Sequence, residues 1–264
     1  MTAGQWYLDL AGLMTFMEGK ERVLNPLPLF HMNALAIILT GTILSGNCLI
    51  APDRFQARTW WRDVTDTEAT VIHYLGVVPA ILLNQPRNPR ENAHSVRFGV
   101  GAGVDPSHHE AFESRFGYAL LEVWGMTETG RIFCDCVEPR QVGTRAFGRP
   151  RDGFQAQVVD DAGNEVEPNT EGELLVRFDG ADPRKGFFSG YLKNQTETDQ
   201  AWRGGWFHTG DIVTQDPDGM LHFVDQMKNI VRRSGENISA TEVEAVLQEH
   251  DQVAQVRFAF STSC

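Results

Sequence analysis

The sequence predicts an α/β protein that contains two kinds of sheet, followed by the start of a small α+β unit. Predicted strands and helices alternate up to residue 128, which is the pattern of a partly parallel sheet. Between residues 143 and 224 the strands become short and are separated by Asp- and Gly-containing turns, so we predict an antiparallel β subdomain there. The predicted units are therefore residues 1–224, divided at about residue 142, and residues 225–264.

Apolar periodicity and the positions of Pro and Gly predict the elements of the first unit. A helix over 5–17 comes first, with an apolar face of imperfect helical period. The elements predicted after it are a strand at 23–29, a buried helix that leads through a Gly turn to a strand at 47–51, a helix at 59–68, a strand at 70–76, a helix at 79–84, a strand at 96–100, a helix at 106–116 and a strand at 119–123.

The second part contains strands that alternate in polarity. They are predicted at 155–159, 172–177 and 220–224, with hairpin turns at 160–164 and 216–219. After residue 225, Ser239 and Glu242 form a capping box that predicts a helix at 242–249, and a strand at 253–260 follows.

Composition limits the classes of function. The chain has 264 residues, is 42% hydrophobic and 22% charged, and carries a formal net charge of −12. An acidic protein is a poor nonspecific nucleic-acid binder, because such binding needs basic residues that displace counterions. A nucleotide ligand remains compatible with this charge, since backbone N–H groups and a metal ion can hold phosphates.

The N-terminus has no basic start followed by an apolar core, so we predict no signal peptide. Residues 34–51 are uncharged, but Thr, Gly, Ser and Asn interrupt them, and we predict no membrane span. Cys134 and Cys136 lack a second pair of ligands for a tetrahedral metal site, and His108 and His109 point to different helix faces. Reduced thiols and a cytoplasmic location are the expectation.

Three ordered blocks carry the functional information. The first is Val-Trp-Gly-Met-Thr-Glu-Thr at 123–129, the second is Trp-Phe-His-Thr-Gly-Asp at 206–211, and the third is Asp-Gln-Met-Lys-Asn at 225–229 with Ser-Gly-Glu-Asn-Ile-Ser at 234–239. In this order they resemble the adenylate-forming enzymes, the superfamily of acyl-CoA synthetases, luciferases and peptide-synthetase adenylation domains. The resemblance implies ATP-dependent activation of a carboxylic acid to an acyl-adenylate and then to a CoA thioester, with ATP/AMP, Mg²⁺ and CoA bound.

The resemblance also implies a nucleotide-binding set. In it Trp124 covers adenine, the glycine-rich loop approaches the ring, and Asp211 accepts hydrogen bonds from both ribose hydroxyls. The alternatives are a plain tight turn for the loop and an aspartate bonded to its own turn. The nucleotide-binding residues implied are Gly101, Ala102, Gly103, Trp124, Gly125, Met126, Thr127, Asp211, Phe223 and Gln226.

Four residues are implied as catalytic. Thr127 offers a hydroxyl to phosphate, and Glu128 is the Mg²⁺ ligand, a hard oxygen donor of the kind that this ion prefers. His31 matches the position that gates the acyl tunnel, and Lys228 lies at the hinge of the family's C-terminal lid. Three of them also have a non-catalytic interpretation: a solvated turn for Glu128, a structural histidine for His31 and a solvated cation for Lys228.

The hinge departs from the family pattern. Gln226 replaces an arginine that supplies a cation near ribose and phosphate, and the loss of this charge could cost a few kcal/mol, roughly, at a charge-assisted contact. Arg232, Arg233, Ser234 and Gly235 are implied to face the nucleotide part of CoA. Gly190, Tyr191 and Thr196 resemble a further block with a mainly structural role.

Two family motifs have no counterpart in the sequence, namely the Ser/Thr/Gly-rich phosphate loop and the lysine near the end of the lid. We therefore expect AMP binding by residues 1–264 without carboxylate-dependent release of pyrophosphate. An alternative hypothesis is a non-catalytic truncated paralogue or fragment that binds AMP or a partner subunit.

Overall fold

The computed structural model describes residues 20–130, 132–151, 153–227, 230–233 and 236–239. Within these residues the chain forms a six-stranded sheet, a five-stranded sheet and a two-stranded antiparallel pair. We call residues 20–134 the parallel-sheet region and residues 146–226 the antiparallel-sheet region. The predicted combination of a parallel and an antiparallel sheet is confirmed.

The six-stranded sheet has the order β2-β1-β3-β4-β5-β6. Its first five members in that order are parallel, and β6 pairs antiparallel with β5. The carboxyl ends of the parallel strands therefore share one edge, where open α/β sheets bind ligands. The strands are β1 Arg22–Leu24, β2 Cys48–Ile50, β3 Val71–Leu75, β4 Phe98–Ala102, β5 Ala119–Gly125 and β6 Ile132–Cys134.

Helical segments cover both faces of this sheet. On one face, α2, α3 and α4 pack Trp60, Leu82 and Phe112 against a core that includes Tyr74 and Leu120. On the other face, buried residues of a π-helix pack against β1, β3, β4 and β5. The segments are the π-helix Asn33–Leu39, which continues into α1 Thr40–Leu44, then α2 Trp60–Asp66, α3 Val77–Leu83 and α4 Pro106–Phe116.

The uncharged segment 34–51, for which no membrane span was predicted, consists of short elements. The π-helix and α1 occupy its first part and β2 lies near its end. Among the described residues, no helix has both the length and the apolar character needed to cross a bilayer.

Local signals set both ends of α4, which has the bounds predicted from the sequence. The Asp105 side chain accepts a hydrogen bond from the backbone N–H of Ser107 at 2.9 Å, and Pro106 occupies the first turn, where no N–H is needed. Gly117 ends the helix with φ at 79°, in the left-handed region that glycine tolerates.

The five-stranded sheet is antiparallel in each of its strand pairs and has the order β7-β11-β10-β9-β8. Its core is an aromatic cluster to which the first sheet contributes Trp124 and Phe133. The elements are β7 Ala146–Gly148, β8 Phe154–Val159, β9 Gly172–Phe178, α5 Gln195–Ala201, β10 Phe207–Gln215 and β11 Leu221–Gln226.

Several predicted elements differ from the structure. The first strand ends at Leu24 instead of residue 29, since Pro26 and Pro28 lack the N–H that a ladder needs. Asp211, for which no strand was predicted, lies in β10, at an irregularity in the pairing with β9, and Gly210 before it has φ at 71°. The elements β6, β7, α5 and β10 were not predicted.

Three predicted elements lie outside the described residues, namely the helices at 5–17 and 242–249 and the strand at 253–260. Lys228, Ser234 and Gly235 also lie outside them. Arg232 and Arg233 lie in β12 Ile230–Arg233, which pairs with β13 Glu236–Ser239.

Candidate active site

A cavity of about 480 Å³ lies where the carboxyl ends of β4 and β5 meet the antiparallel-sheet region. Most of the predicted nucleotide-binding residues line it together, although they come from distant parts of the chain. Its lining residues are Ala102, Gly103, Val104, Asp105, Glu122, Val123, Trp124, Gly125, Met126, Arg145, Phe147, Asp211, Phe223, Val224, Asp225 and Gln226.

The glycine-rich run at the end of β4 lies so close to the end of β3 that glycine is required on both sides of the contact. A Cβ on Gly101 would lie 2.2 Å from the carbonyl oxygen of Tyr74, and a Cβ on Gly76 would lie 1.6 Å from the carbonyl oxygen of Gly103. Both approaches are shorter than any real contact, so glycine is needed at both positions. Gly103 has φ at 82°, in the left-handed region. The loop is thereby pressed against the end of β3 and turned toward the cavity.

Glu122 holds this loop, and sequence reasoning missed it. One carboxylate oxygen accepts the Tyr74 hydroxyl at 2.6 Å, and the other accepts the backbone N–H of Gly103 at 2.9 Å. The backbone N–H of Val104 adds a longer contact at 3.3 Å. Burial raises the pKa of Glu122, while these hydrogen bonds act in the opposite direction. A carboxylate inside the apolar strand Ala-Leu-Leu-Glu-Val-Trp was the signal that could have found it.

Trp124 is buried between the two sheets. Its ring stacks at 5.3 Å from Phe133 and at 5.8 Å from Phe147, and its indole N–H donates to Asp211 Oδ2 at 2.8 Å. The residue is only 7% exposed, and it lines the cavity. Trp124 therefore connects the strand that carries the Thr127–Glu128 turn to the strand that carries Asp211. Its predicted role of covering adenine stays a prediction.

Asp211 and Gln226 lie opposite each other in the antiparallel sheet. The pairing of β10 with β11 places Asp211 against Gln226 and Ile212 against Asp225. Asp211 is 4% exposed, and its backbone N–H donates to the Thr209 hydroxyl at 3.1 Å. The position at which the family pattern has arginine is thus beside the predicted ribose anchor, and the roles of both residues stay predictions.

The charges that line this cavity suit a nucleoside better than a phosphate. Four carboxylates line it, from Asp105, Glu122, Asp211 and Asp225, whereas Arg145 is the one lining Lys or Arg among the described residues. The guanidinium of Arg145 also donates to the carbonyl of Val224 at 3.1 Å. Ribose hydroxyls and the adenine amino group donate hydrogen bonds to carboxylates, while phosphates are repelled by them.

A second cavity of about 340 Å³ adjoins the first, and both are lined by Gly125 and Met126. It brings together His31, Thr127 and Glu128, three of the four predicted catalytic residues. His31 is exposed, and its ring contacts that of Phe30 at 4.4 Å. The other lining residues are Leu27, Met32, Asn33, Ala34 and Leu75.

Hydrogen bonds within the turn 126–129 and from residues outside it hold this turn in place. Inside it, the Thr129 hydroxyl donates to the carbonyl of Met126 at 3.1 Å. Outside it, the Tyr191 hydroxyl donates to the Glu128 carboxylate at 3.2 Å, and the N–H of Phe188 donates to the Glu128 carbonyl at 2.8 Å. Burial, and then the charge of Glu128, raise the pKa of Tyr191 to about 12. Tyr191 therefore orients Glu128. The block of Gly190, Tyr191 and Thr196 was expected to have a mainly structural role, and this contact was not predicted.

The loop that leads to His31 is held by a buried histidine. His73 Nδ1 lies 2.8 Å from Asn25 Oδ1, which also accepts the backbone N–H of Leu27. Since the Asn25 amide donates to the Leu27 carbonyl, its oxygen faces His73, and we assign the Nδ1–H tautomer to His73. Burial lowers the pKa of His73 to about 3, so the ring is neutral at pH 7.

His109, the second of the two histidines that follow Ser107, has a structural role. His109 Nε2 lies 3.1 Å from Glu113 Oε1 and 3.2 Å from the Leu120 carbonyl, and its Nδ1 accepts the N–H of Gly143. No group of three or more His, Cys, Asp and Glu side chains suited to a metal ion is found within the part of the chain that the structure describes.

Comparison with known proteins identifies the family. Residues 2–192 match the family model described as AMP-binding enzyme. The sulfoacetate–CoA ligase of Cupriavidus necator is 31% identical over 89% of this chain and 45% of the relative. The medium/long-chain-fatty-acid–CoA ligase FadD6 of Mycobacterium tuberculosis is 32% identical over 97% of this chain and 45% of the relative. The chain thus spans somewhat less than half the length of these relatives.

Solved structures give the same result for the fold. O-succinylbenzoate coenzyme A synthetase from Bacillus subtilis, in complex with AMP, is 25% identical with a TM-score of 0.76, over 99% of this chain and 53% of that one. The amide bond synthetase McbA from Marinactinospora thermotolerans is 29% identical with a TM-score of 0.74, over 93% of this chain and 50% of that one.

Proposed function

The chain belongs to the family of AMP-binding enzymes, and from this we propose that it supplies the nucleotide and acid sites of an ATP-dependent acyl-CoA synthetase. One observation carries the proposal: two cavities meet at Gly125 and Met126, one lined by carboxylates suited to a nucleoside and one lined by His31, Thr127 and Glu128. A nucleotide in the first and a carboxylic acid in the second would meet at that shared wall.

The reaction requires this arrangement. The carboxylate oxygen of the acid attacks the α-phosphorus of ATP, pyrophosphate leaves, and the thiol of CoA then displaces AMP from the acyl-adenylate. Holding both reactants at one wall makes the first step effectively intramolecular. We propose that Asp211 accepts the ribose hydroxyls and that the Thr127 hydroxyl donates to a phosphate oxygen.

We propose Glu128, with Thr127 beside it, as the site for Mg²⁺. The fit rests on the donor chemistry: a half-exposed carboxylate and an exposed hydroxyl line the smaller cavity, and both offer the hard oxygen ligands that this ion prefers. When bound, Mg²⁺ neutralises charge on the phosphates. Glu128 is held in place by Tyr191, so its carboxylate is oriented before any ligand arrives.

Further cationic charge would come from the hinge. We propose that Lys228 acts near the phosphates, and that Arg232, Arg233, Ser234 and Gly235 face the nucleotide part of CoA. Gln226, opposite Asp211, offers a neutral amide to the ribose. The comparisons do not favour the alternative of a non-catalytic paralogue.

We further propose an apolar acid as the substrate. The smaller cavity is lined by Leu27, Met32, Ala34, Leu75 and Met126, and no Lys or Arg is found among its described lining residues. A fatty acid, the class named for the M. tuberculosis relative, fits such a wall, whereas the sulfonate of sulfoacetate would lie there without a cation. We accordingly propose that the protein acts in fatty acid metabolism in the cytoplasm.

Nucleotide binding tests the proposal directly. Calorimetric titration of AMP into the chain should give saturable binding, and Asp211→Asn should weaken it by about 10- to 100-fold, since a hydrogen bond to a charged group contributes about 1.5–3 kcal/mol. Asparagine keeps an oxygen that can accept from Trp124, which protects the fold. Asp199→Asn, on the surface of α5, is the matched control and should leave affinity unchanged. Equal affinity for both variants would remove the ribose assignment.

Substrate class is tested separately by titrating octanoate and sulfoacetate into the AMP-saturated chain. We expect octanoate to bind more tightly, by about tenfold or more given the area that its alkyl chain can bury. Tighter binding of sulfoacetate would contradict the apolar assignment and leave the nucleotide assignment intact.

A further inference from the structure

Two cysteines outside the nucleotide site form an asymmetric pair. Cys134 ends β6 and is buried, while Cys136, two residues later, is half-buried. Both contact the core on the same face of the parallel sheet, next to Val123. The guanidinium Nη2 of Arg151 lies 2.9 Å from Cys136 Sγ. One thiol is thus enclosed, and the other lies under a cation at the surface.

The charges around the pair separate the two thiols chemically. A hydrogen bond from Cys134 lowers the pKa of Cys136, and the charge and hydrogen bond of Arg151 lower it further, against the effects of burial and of Asp135. The same hydrogen bond, together with burial, raises the pKa of Cys134. Both shifts favour the thiolate form at Cys136 and the protonated thiol at Cys134. A low-pKa, accessible thiolate beside a second thiol is the arrangement of reactive cysteine sites.

We propose that Cys136 is a reactive thiolate that takes soft electrophiles and hydroperoxides, with Cys134 as its resolving thiol. An Arg side chain directed at a neutral thiol would gain little, because a thiol sulfur is a weak acceptor, whereas a thiolate gives a charge-assisted hydrogen bond. The described residues around the pair supply no third metal ligand, which separates this site from a zinc site.

With hydrogen peroxide as the oxidant, the steps balance as follows. The Cys136 thiolate attacks one peroxide oxygen, the O–O bond breaks, and with one proton taken up the products are Cys136 sulfenic acid and water. The Cys134 thiol then attacks the sulfenic sulfur, an S–S bond forms, and a second water leaves. In total, two thiols lose two electrons and two protons to one peroxide. The disulfide would span Asp135.

Alkylation rates test the first part of the proposal. Iodoacetamide at pH 7 should modify Cys136 faster than the exposed Cys48, by about tenfold, because a thiol of ordinary pKa is only about 3% ionised at that pH. Tandem mass spectrometry of the tryptic peptide 132–140, which contains both Cys134 and Cys136, assigns the site. Modification of Cys48 at an equal or higher rate would overturn the proposal.

Variants of the cation identify its role. Arg151→Gln should slow alkylation of Cys136 by roughly three- to tenfold, whereas Arg151→Lys, which keeps the charge, should slow it less. Arg149→Gln removes a guanidinium that pairs with Asp218 on the nearby hairpin and should have no effect. An unchanged rate in Arg151→Gln would show that the thiol is merely accessible.

Peroxide treatment tests the second part. In the wild-type chain, the peptide 132–140 should become lighter by about 2 Da, the mass of the two hydrogens lost when one disulfide forms. The Cys134→Ser variant should instead accumulate a sulfenic acid at Cys136, which dimedone traps. Stable sulfenic acid in the wild-type chain, without the mass loss, would exclude Cys134 as the resolving thiol.

Discussion

The parallel-sheet region and the antiparallel-sheet region both bury carboxylates and aromatic rings, such as Glu173 with His208 in the second, but in different proportions. The first encloses titratable groups in polar networks, such as Glu122 with Tyr74, and Glu91 with Arg115 at 2.9 Å. The second is built on stacked and edge-on aromatic rings, among them Phe154, Phe187 and Phe207. The site lies where they meet and uses one buried carboxylate from each, Glu122 to hold a loop and Asp211 to hold Trp124.

This difference predicts two kinds of stability. Buried polar networks make stability depend on pH, because protonation changes the charges that the fold has paired. Aromatic packing depends on contact and excluded area, which pH leaves unchanged. The difference between the regions can therefore be tested with variants that disturb one region, by measuring their free energy of unfolding at two pH values.

The largest expected effect is in the aromatic cluster. Phe187 is 1% exposed, with its ring 4.9 Å from that of Trp202 and 5.2 Å from that of Phe154. Phe187→Ala should lower the free energy of unfolding by about 3–5 kcal/mol, and by the same amount at pH 7.5 and pH 5, in urea denaturation. Leu192→Ala, at a side chain that is 90% exposed, should change it by less than about 0.5 kcal/mol. A loss that grew at low pH would contradict the distinction between the regions.

The next effect is a pH slope in the parallel-sheet region. The pKa of His73 is lowered from 6.5 to about 3, so between these pH values the histidine is protonated in the unfolded chain and neutral in the folded one. Its contribution to the free energy of unfolding is therefore fully present above pH 6.5 and is lost as the pH decreases toward 3. Between pH 7.5 and pH 5 the loss is about 2 kcal/mol.

His73→Asn should remove most of that slope, because asparagine can still donate to Asn25 Oδ1 and does not titrate. Urea unfolding at both pH values measures it. His108→Asn, at a half-buried histidine of α4, should keep the wild-type slope. If both variants retained the slope, another group would be responsible for it.

These regions also differ in how far the sequence could predict them. Helix α4 was predicted with the bounds that it has, because Asp105, Pro106 and Gly117 act within a few residues of its ends. Strand β10 was missed at Asp211, since its partner in β11, Gln226, lies 15 residues away, and Glu173 in β9, which pairs with the next residue Ile212, lies 39 residues from that residue. The motif residues could be named from the blocks themselves, but the hydrogen bonds that hold them could not, because these join residues that only the fold brings together.

The third effect tests the carboxylate from the parallel-sheet region. Glu122→Gln replaces one of two accepting oxygens by an NH₂ group, so either Tyr74 or Gly103 loses its partner. The free energy of unfolding should fall by about 1–2 kcal/mol, and AMP should bind roughly three- to tenfold more weakly as the glycine-rich loop loosens. Denaturation and calorimetry measure the two quantities. Glu110→Gln, exposed on α4, should alter neither, and an unchanged AMP affinity in Glu122→Gln would separate the loop from the nucleotide site.

The smallest effect tests a contact that joins the two regions. Tyr191 follows β9 in the antiparallel-sheet region and donates to Glu128, which follows β5, at 3.2 Å. Tyr191→Phe removes this hydroxyl and leaves the ring and the backbone bond to Thr198, so stability should fall by no more than about 1 kcal/mol. If Glu128 binds Mg²⁺, a less oriented carboxylate should raise the Mg²⁺ concentration needed for half-maximal ATP binding by a few-fold.

AMP affinity without metal is the internal control for this variant, and it should stay at the wild-type value because Tyr191 lines neither cavity. A general disturbance of the turn would weaken AMP binding as well, since Gly125 and Met126 line both cavities. A change in the metal requirement alone would instead show that the antiparallel-sheet region orients a ligand that the parallel-sheet region carries. No change in either quantity would mean that the turn's own hydrogen bond, from Thr129 to Met126, is enough to hold Glu128.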